Sequence, residues 1–347
     1  MRDASKGRRV ASPPITILKP LCGLEPELFE NLASFCDQAY SQFQVIFGAR
    51  DAADPAVAVA QRVIKRFPER DLALVACDAA AVANPKIANV LNMLPQAKHP
   101  LLVISDADMR VDRHYLERIA ATFDDELVGA ATALYAGDPL DGLASELGAM
   151  FVNEQFAPSV LVALALGPLA FCFGSTMAVR RSVLDELGGL EALGAHAGDD
   201  YLLGKAVADR GKRVALIDDV VRNVIREPSL GALWAHELRW ARTIFAQRPL
   251  GYLGSFVTLP LPFALAALAF APGVTTVAVL AAVAALRLAL HAQARRVLNV
   301  RERAALIPLR DVFSLAIWAA SFFTRDIRWR TDRFSLDREG RIAPKRG

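Results

Sequence analysis

The sequence predicts an α/β chain: a Rossmann-like, mostly parallel sheet followed by C-terminal transmembrane helices. Three observations predict it. Short apolar runs alternate with helical patterns along the first part of the chain. Successive runs stop at acids, the mark of strands whose carboxyl ends open on one edge. The apolar residues, 54% of the 347, gather in 251–290 and 304–323 rather than spreading evenly, as membrane segments require.

The elements follow in order. Residues 1–14 are polar, basic and end in Pro, and read as a flexible lead-in without the apolar core of a signal peptide. "ITILKPL" (15–21) is the first strand, and 26–38 carries Leu28, Leu32 and Phe35 at helical spacing. "FQVIFGARD" (43–51) is a strand that stops at Asp51. The helix over 54–67 has Asp54 as N-cap and Pro55 at its first position. "LALVACD" (72–78) is the third strand, and Asn84–Pro85 starts a helix over 84–94. "LLVISDAD" (101–108) is the fourth strand. The stretch 156–173, broken by Pro158, Gly167 and Pro168, reads as a core or interfacial segment. Residues 174–190 read as strand then helix, Asp199 and Asp200 as a helix start, and 227–244 as a helix with His236, Arg239, Trp240 and Arg242 on it. The domain containing these elements is expected over 15–248 and a membrane region over 249–323. Its spans are about 251–271 and 273–290, joined at Pro272–Gly273. The third segment, 304–323, contains Arg310 and Asp311. It is therefore re-entrant, interfacial, or turned so that its charges face protein. Basic clusters (Arg295, Arg296, Arg301, Arg303; then Arg325, Arg328, Arg330, Arg333) place 291–303 and the basic tail 324–347 in the cytoplasm, with the catalytic domain.

Net charge is only +3, which argues against a nucleic-acid partner. Cys22, Cys36, Cys77 and Cys172 are scattered and form no CxxC, so zinc and a disulfide framework are not expected, and reduced thiols are. No G-x-G-x-x-G or P-loop occurs, so a diphosphate must be held another way. The acids at the strand ends, Asp51, Asp78, Asp106 and Asp108, provide it: a D-x-D can hold Mg²⁺ or Mn²⁺, hard cations that take one or two carboxylates plus substrate phosphates.

In order, Asp51, the D-x-D of Asp106 and Asp108, the pair Asp199–Asp200, and x-x-x-R-W over His236–Trp240 resemble the signature of family 2 inverting glycosyltransferases. The stretches "LKPLCGLEP", "NPKIANV", "SDADMRV", "GDDYLLGKAVADRG" and "DIRWRTDRF" are more similar to the ceramide glucosyltransferase branch. Within it, "FAPSVLVALALG" and "EPSLGALWAHELRWARTI" resemble the bacterial hopanoid-biosynthesis-associated glycosyltransferases (HpnI type). Two departures stand out: His236 replaces the usual Gln or Arg, and the transmembrane helix with which those enzymes begin is not found in the opening residues.

The resemblance implies a GT-A domain and a UDP-sugar donor. Asp51 would read the uracil or ribose, and Lys86 the nucleotide or its phosphates. Asp106 and Asp108 would sit by the ribose and the metal, with Asp108 the stronger candidate for a direct ligand. Asp200 would be the general base, Asp199 would position it or the acceptor, and His236, Arg239 and Trp240 would line the diphosphate and acceptor side. The acceptor would be the hydroxyl of a membrane lipid, a hopanoid polyol such as bacteriohopanetetrol first and ceramide second, receiving GlcNAc or glucose at the bacterial inner membrane. A polysaccharide synthase is disfavoured by His236 and the short tail, and a non-catalytic scaffold by the intact acids.

Overall fold

The computed structural model describes residues 13–329 and 332–345. Most of the expected lead-in and Arg330 lie outside the described residues. The chain opens with β1 (Ile15–Leu21), α1 (Leu28–Cys36), β2 (Phe43–Ala49), α2 (Pro55–Arg66), β3 (Asp71–Ala76), α3 (Pro85–Met93) and β4 (Leu101–Ile104). It continues through β5 (Met109–Arg110), α4 (Tyr115–Thr122), β6 (Val128–Pro139), α5 (Gly142–Phe151), a π-helical turn at Val152–Phe156 and α6 (Ala157–Leu166). Then come β7 (Met177–Arg180), α7 (Arg181–Glu186), α8 (Asp199–Asp209), β8 (Arg213–Ile225) and α9 (Leu230–Gln247). The last part holds α10 (Pro249–Gly254), α11 (Pro260–Phe270), α12 (Val274–Leu298), α13 (Ile307–Ala320) and the strands β9 (Asp326–Trp329), β10 (Asp332–Leu336) and β11 (Ile342–Pro344).

One sheet carries the order β3-β2-β1-β4-β7-β6-β8-β5. β1 pairs in parallel with β2 and β4, β2 with β3, and β6 with β8, while β7 and β5 run against their neighbours. The mostly parallel sheet is as expected. Its central strands are buried on both faces, which is why β1 and β2 read as unbroken apolar runs rather than alternating ones. Two helix starts are fixed by side chains. Asp54 accepts from the Ala56 N–H, and Asn84 accepts from the Lys86 and Ile87 N–H groups. Gly48 lets α3 close on β2, because a Cβ there would lie 2.5 Å from Asn89 Oδ1 and Met93 Sδ.

Several boundaries differ from the sequence reading. β4 stops at Ile104, so Asp106 and Asp108 lie in the turn before β5 rather than in the strand. Asp108 is not on an exposed end, since the turn is folded against β8 and the Val224 N–H donates to the Asp108 carbonyl at 2.9 Å. The stretch 156–173 contributes only the end of a longer helical path. Gly142–Leu166 runs through the π turn and, among the described residues, is one of two helices long and apolar enough to cross a membrane, the other being Val274–Leu298. The α10–α11 pair adds a third only if its two parts, bent by 59°, count as one broken span.

α13 turns its charges to protein. Arg310 forms a two-pronged ion pair with Glu237 of α9 (both contacts 2.7 Å), and Asp311 faces Arg287 of α12. Arg287 also reaches Glu154 in the π turn at 2.6 Å. Residues 324–347, read as a basic tail, contribute a three-stranded antiparallel sheet, β11-β10-β9. It buries Ile327, Phe334, Leu336 and Ile342 against Ala83 and Ala197.

Candidate active site

The carboxyl ends of β1, β2, β3 and β4 share one edge, and the acids there have different surroundings. After β3, Asp78 is taken by Arg50 in a two-pronged pair at 2.7 and 2.9 Å, whose hydrogen bonds hold its carboxyl below the usual range. Asp51 is exposed, its Oδ1 accepting the Ala53 N–H at 2.8 Å.

Those others converge. Lys86, in the first turn of α3, places its Nζ 2.8 Å from Asp106 Oδ1 and 3.3 Å from Asp199 Oδ2. Burial alone would lower the ammonium's pKa, but Asp106, Asp199 and Asp200 together outweigh that and raise it, so Lys86 stays charged. Asn84, which caps α3, also donates its Nδ2 to Asp199 Oδ1 at 3.3 Å, tying two helix starts together. Asp200 follows at the start of α8. Its Oδ2 accepts the Gly174 N–H at 3.0 Å and its Oδ1 its neighbour Tyr201's N–H at 2.8 Å. Burial first, and the adjacent Asp199 second, push the Asp200 carboxyl up to about 6, with Lys86 opposing.

Asp108 completes the acid cluster. Its Oδ2 accepts from Asn223 of β8 at 2.8 Å, while its Oδ1 is buried and has no hydrogen-bond partner. Burial, then Glu25 and Asp106, push its carboxyl up to about 7 against Asn223 and Lys19. Below it lies Lys19, fully buried in β1, donating to Ser105 Oγ at 3.3 Å and to the Asp106 carbonyl, with its ammonium 3.7 Å from the centre of the Phe35 ring. Burial lowers its pKa to about 7.

A divalent cation fits this donor set. The buried, unpartnered oxygen of Asp108 faces no competing donor, and Asp106 is a neighbouring carboxylate. Among the described residues no group of three or more His, Cys, Asp or Glu is placed to hold a metal ion by itself, so a cation here would depend on oxygens of the substrate and of water beside Asp108 and Asp106.

The α9 motif makes its own set of contacts. His236 Nδ1 lies 2.7 Å from Glu227 Oε1, and the His236 ring packs 4.2 Å from that of Trp240. Trp240 in turn stacks on Phe151 of α5 at 5.9 Å and 26°. The Arg239 guanidinium lies 5.2 Å from the Trp329 ring of β9. The link from α9 to the acids is Gln247, whose Nε2 donates to the Gly198 carbonyl just before Asp199.

Several residues of this site are not visible in the sequence reading. A Cβ on Gly174 would lie 2.5 Å from Asp106 Oδ2 and 3.2 Å from Lys86 Nζ, so a larger residue there would push on that ion pair. Tyr135 of β6 packs its ring 4.5 Å from Phe156, and its hydroxyl pKa is raised by burial and by Asp200, Asp108 and Asp106, which puts it among the acids. Nothing in the spacing of Tyr135, Gly174 or Asn223 signals this, because each arrives through sheet pairing. Asn84 carried a local signal, its cap, but not its bond to Asp199.

Comparison with known proteins fits this architecture. The chain is 28% identical over 206 residues to ceramide glucosyltransferase 1 of Caenorhabditis elegans, covering 59% of this chain and 44% of the relative. It is 25% identical over 239 residues to ceramide glucosyltransferase 3 of the same organism, covering 68% and 52%. The chain thus spans about half the length of these curated relatives. Among solved structures, the mannosyltransferase PcManGT from Pyrobaculum calidifontis, in complex with GDP-Man and Mn²⁺, superposes with a TM-score of 0.58 at 19% identity. The superposition covers 90% of this chain and 88% of that one. The fold is therefore α/β and GT-A-like, with two long apolar helices. The motif resemblance points to family 2 and its ceramide glucosyltransferase branch; the comparisons keep the branch and replace the family number. The sequence profile that matches spans residues 1–342, and the chain belongs to glycosyl transferase family 21.

Proposed function

We propose that this chain moves a sugar, GlcNAc or glucose, from a UDP-sugar to the hydroxyl of a membrane lipid with inversion at the anomeric carbon. It would act at the bacterial inner membrane with its α/β domain on the cytoplasmic side. The observation that carries the reading is the convergence of Lys86, Asp106, Asp108, Asp199 and Asp200 at the carboxyl edge of the sheet.

Asp200 is the general base. A carboxyl pushed up to about 6 is mostly ionised at neutral pH yet basic enough to take the acceptor's proton. As it does so, the acceptor oxygen bonds to the anomeric carbon from the face opposite the nucleotide. The bond from that carbon to the diphosphate oxygen breaks, and its electron pair leaves with UDP. Asp199 and Lys86 hold Asp200 and the approaching groups in place. Asp106 and Asp108 would hold the divalent cation, which neutralises the leaving diphosphate. Asp51 reads the uridine, and Arg239, Trp240 and His236 line the diphosphate and acceptor side. The apolar helices keep the mouth of the site at the lipid surface.

A hopanoid polyol such as bacteriohopanetetrol is the first acceptor, on the motif likeness. Ceramide is the second, favoured by the names of the relatives. The test is transfer by the full-length protein in vesicles holding either lipid, with UDP-glucose or UDP-GlcNAc, read by mass spectrometry of the lipids. Glycosylated hopanoid supports the proposal and glycosylated ceramide the second reading. No lipid product with either donor overturns both.

A further inference from the structure

A cavity of about 190 Å³ lies away from the acid cluster, between the end of α9, the start of α10, the end of α13 and the C-terminal sheet. Arg242, Arg325 and Arg338 line it, with one acid, Asp337, and an apolar floor that includes Phe245 and Leu336. The two nearby carboxylates are turned to other partners in part. Asp337 Oδ1 accepts the Glu339 and Arg341 N–H groups, and Asp326 pairs with Lys345 at 2.6 Å. Arg242 donates to the Asp326 backbone carbonyl, and its Nε is buried without a hydrogen-bond partner. Among the described residues, neither Arg325 nor Arg338 has an ion-pair partner. Three guanidinium groups around one cavity face a single lining carboxylate, Asp337, which leaves net positive charge that favours an anion.

The position identifies the anion's source. The cavity sits where the apolar segments meet the α/β domain: Pro249 opens α10, Ser321 caps α13, and Thr324 follows shortly after it. Leu250 and Phe323, next in sequence to two of these residues, are each 83% exposed. Large apolar side chains left in the open beside an arginine-lined cavity match a phospholipid, acyl chains outward and phosphate inward. A guanidinium fork meets phosphate oxygens in pairs, which suits a headgroup whose net charge is negative.

We infer that this cavity binds the phosphate headgroup of an anionic membrane lipid, distinct from both donor and acceptor. The inference rests on the membrane placement proposed above. It gives the helices a headgroup clamp at the water boundary, where α9 leads from the cavity towards His236 and Trp240.

The test is native mass spectrometry of the full-length protein in detergent with an equimolar mixture of phosphatidylglycerol and phosphatidylcholine. Wild type is expected to retain phosphatidylglycerol preferentially. The double variant Arg325→Gln/Arg338→Gln changes two exposed side chains and is expected to lose that preference roughly tenfold to thirtyfold, as for two arginines at an anionic surface. Arg242→Gln, checked for an unchanged melting curve, should act in the same direction. A second arm adds millimolar inorganic phosphate. If phosphate binds with the same arginine dependence and displaces the lipid, the cavity is a soluble-phosphate site and the lipid assignment falls. Retention of both lipids without preference, or a preference that survives the double variant, overturns the cavity assignment while leaving the membrane placement standing. Retention of no lipid overturns both.

Discussion

The Lys86 ammonium lies 2.8 Å from Asp106 Oδ1, and the same nitrogen reaches Asp199 Oδ2 at 3.3 Å, so one cation holds the ends of β4 and α8 together. It also favours the ionised form of Asp200. Replacing it with an uncharged side chain should therefore change the pH profile as well as the rate. Lys86→Gln is expected to lower kcat/KM and to move the acidic limb of its pH profile upward, because the Asp200 carboxyl loses a neighbouring positive charge. A pH–rate series on wild type and variant checks this. A lower rate with an unmoved limb would assign Lys86 to substrate binding alone.

Wild-type activity should itself fall as pH drops through about 6, where Asp200 takes up a proton. The sign follows from the role, since a base must be ionised, so kcat/KM rises through that value and flattens above it. Asp200→Asn should remove this limb and cut kcat by roughly 10²–10⁴-fold with UDP binding nearly intact. Asp199→Asn should do less. If the two variants rank the other way, the base is Asp199.

Asp108→Asn keeps the hydrogen bond to Asn223 available but removes the charge beside its unpartnered oxygen. Metal-dependent turnover should be lost while the melting temperature stays close to wild type. Turnover against Mn²⁺ and Mg²⁺ concentration, with a thermal melt alongside, provides the measurement. Near-normal metal dependence would remove Asp108 from the metal site.

Arg310 is fully buried, and Glu237 is its two-pronged partner between α13 and α9. Glu237→Gln would leave a guanidinium inside without its counter-charge, at a cost of about 3–5 kcal/mol. The double change Glu237→Leu/Arg310→Met removes both charges and should cost less than either single change. Thermal unfolding of the detergent-solubilised protein compares them. Equal stability of all variants would mean that water screens the pair.

Ending the chain at residue 324 should abolish transfer even though every acid of the cluster precedes the cut. The reason is the pairing of the C-terminal sheet with the loop before α8: the Ala197 N–H donates to the Gly340 carbonyl at 3.1 Å, and the Ile342 N–H to the Ala195 carbonyl at 2.8 Å. UDP binding and transfer, measured on the truncated and full-length proteins in the same vesicles, check it. Full transfer by the truncated form would show that the loop holds itself.

The first half of the fold was legible because parallel strands buried on both faces are written as continuous apolar runs, and because Asp54 and Asn84 cap their helices through local bonds. The second half was less so. β6 and β8 are rich in Ala and charged residues, and their identity as strands comes from pairing with each other across the sheet, which no local pattern encodes. The acids at the sheet edge showed their positions but not their fates. Asp78 and Asp106 look alike in sequence, yet one is taken by Arg50 and the other by Lys86. The charges in 304–323 signalled that the segment could not face lipid all round. Only the packing of α13 identifies Glu237 and Arg287 as their partners.

The bridge between His196 and Arg341 carries a consequence for how the protein is made. The loop ahead of Asp199 leaves the ribosome well before the strand that fastens it. At synthesis speeds of about 5–20 residues per second, that interval is on the order of ten seconds. During it α10 through α13 are made, the stretch that the proposed placement sets at the bilayer. A nascent chain therefore holds every acid of its reaction centre while the loop that aims two of them is still unfastened. On the membrane placement proposed above, chemistry would begin only after the helices are seated and the last strands have come back to the domain that was made first, so insertion itself would be the step that switches the enzyme on.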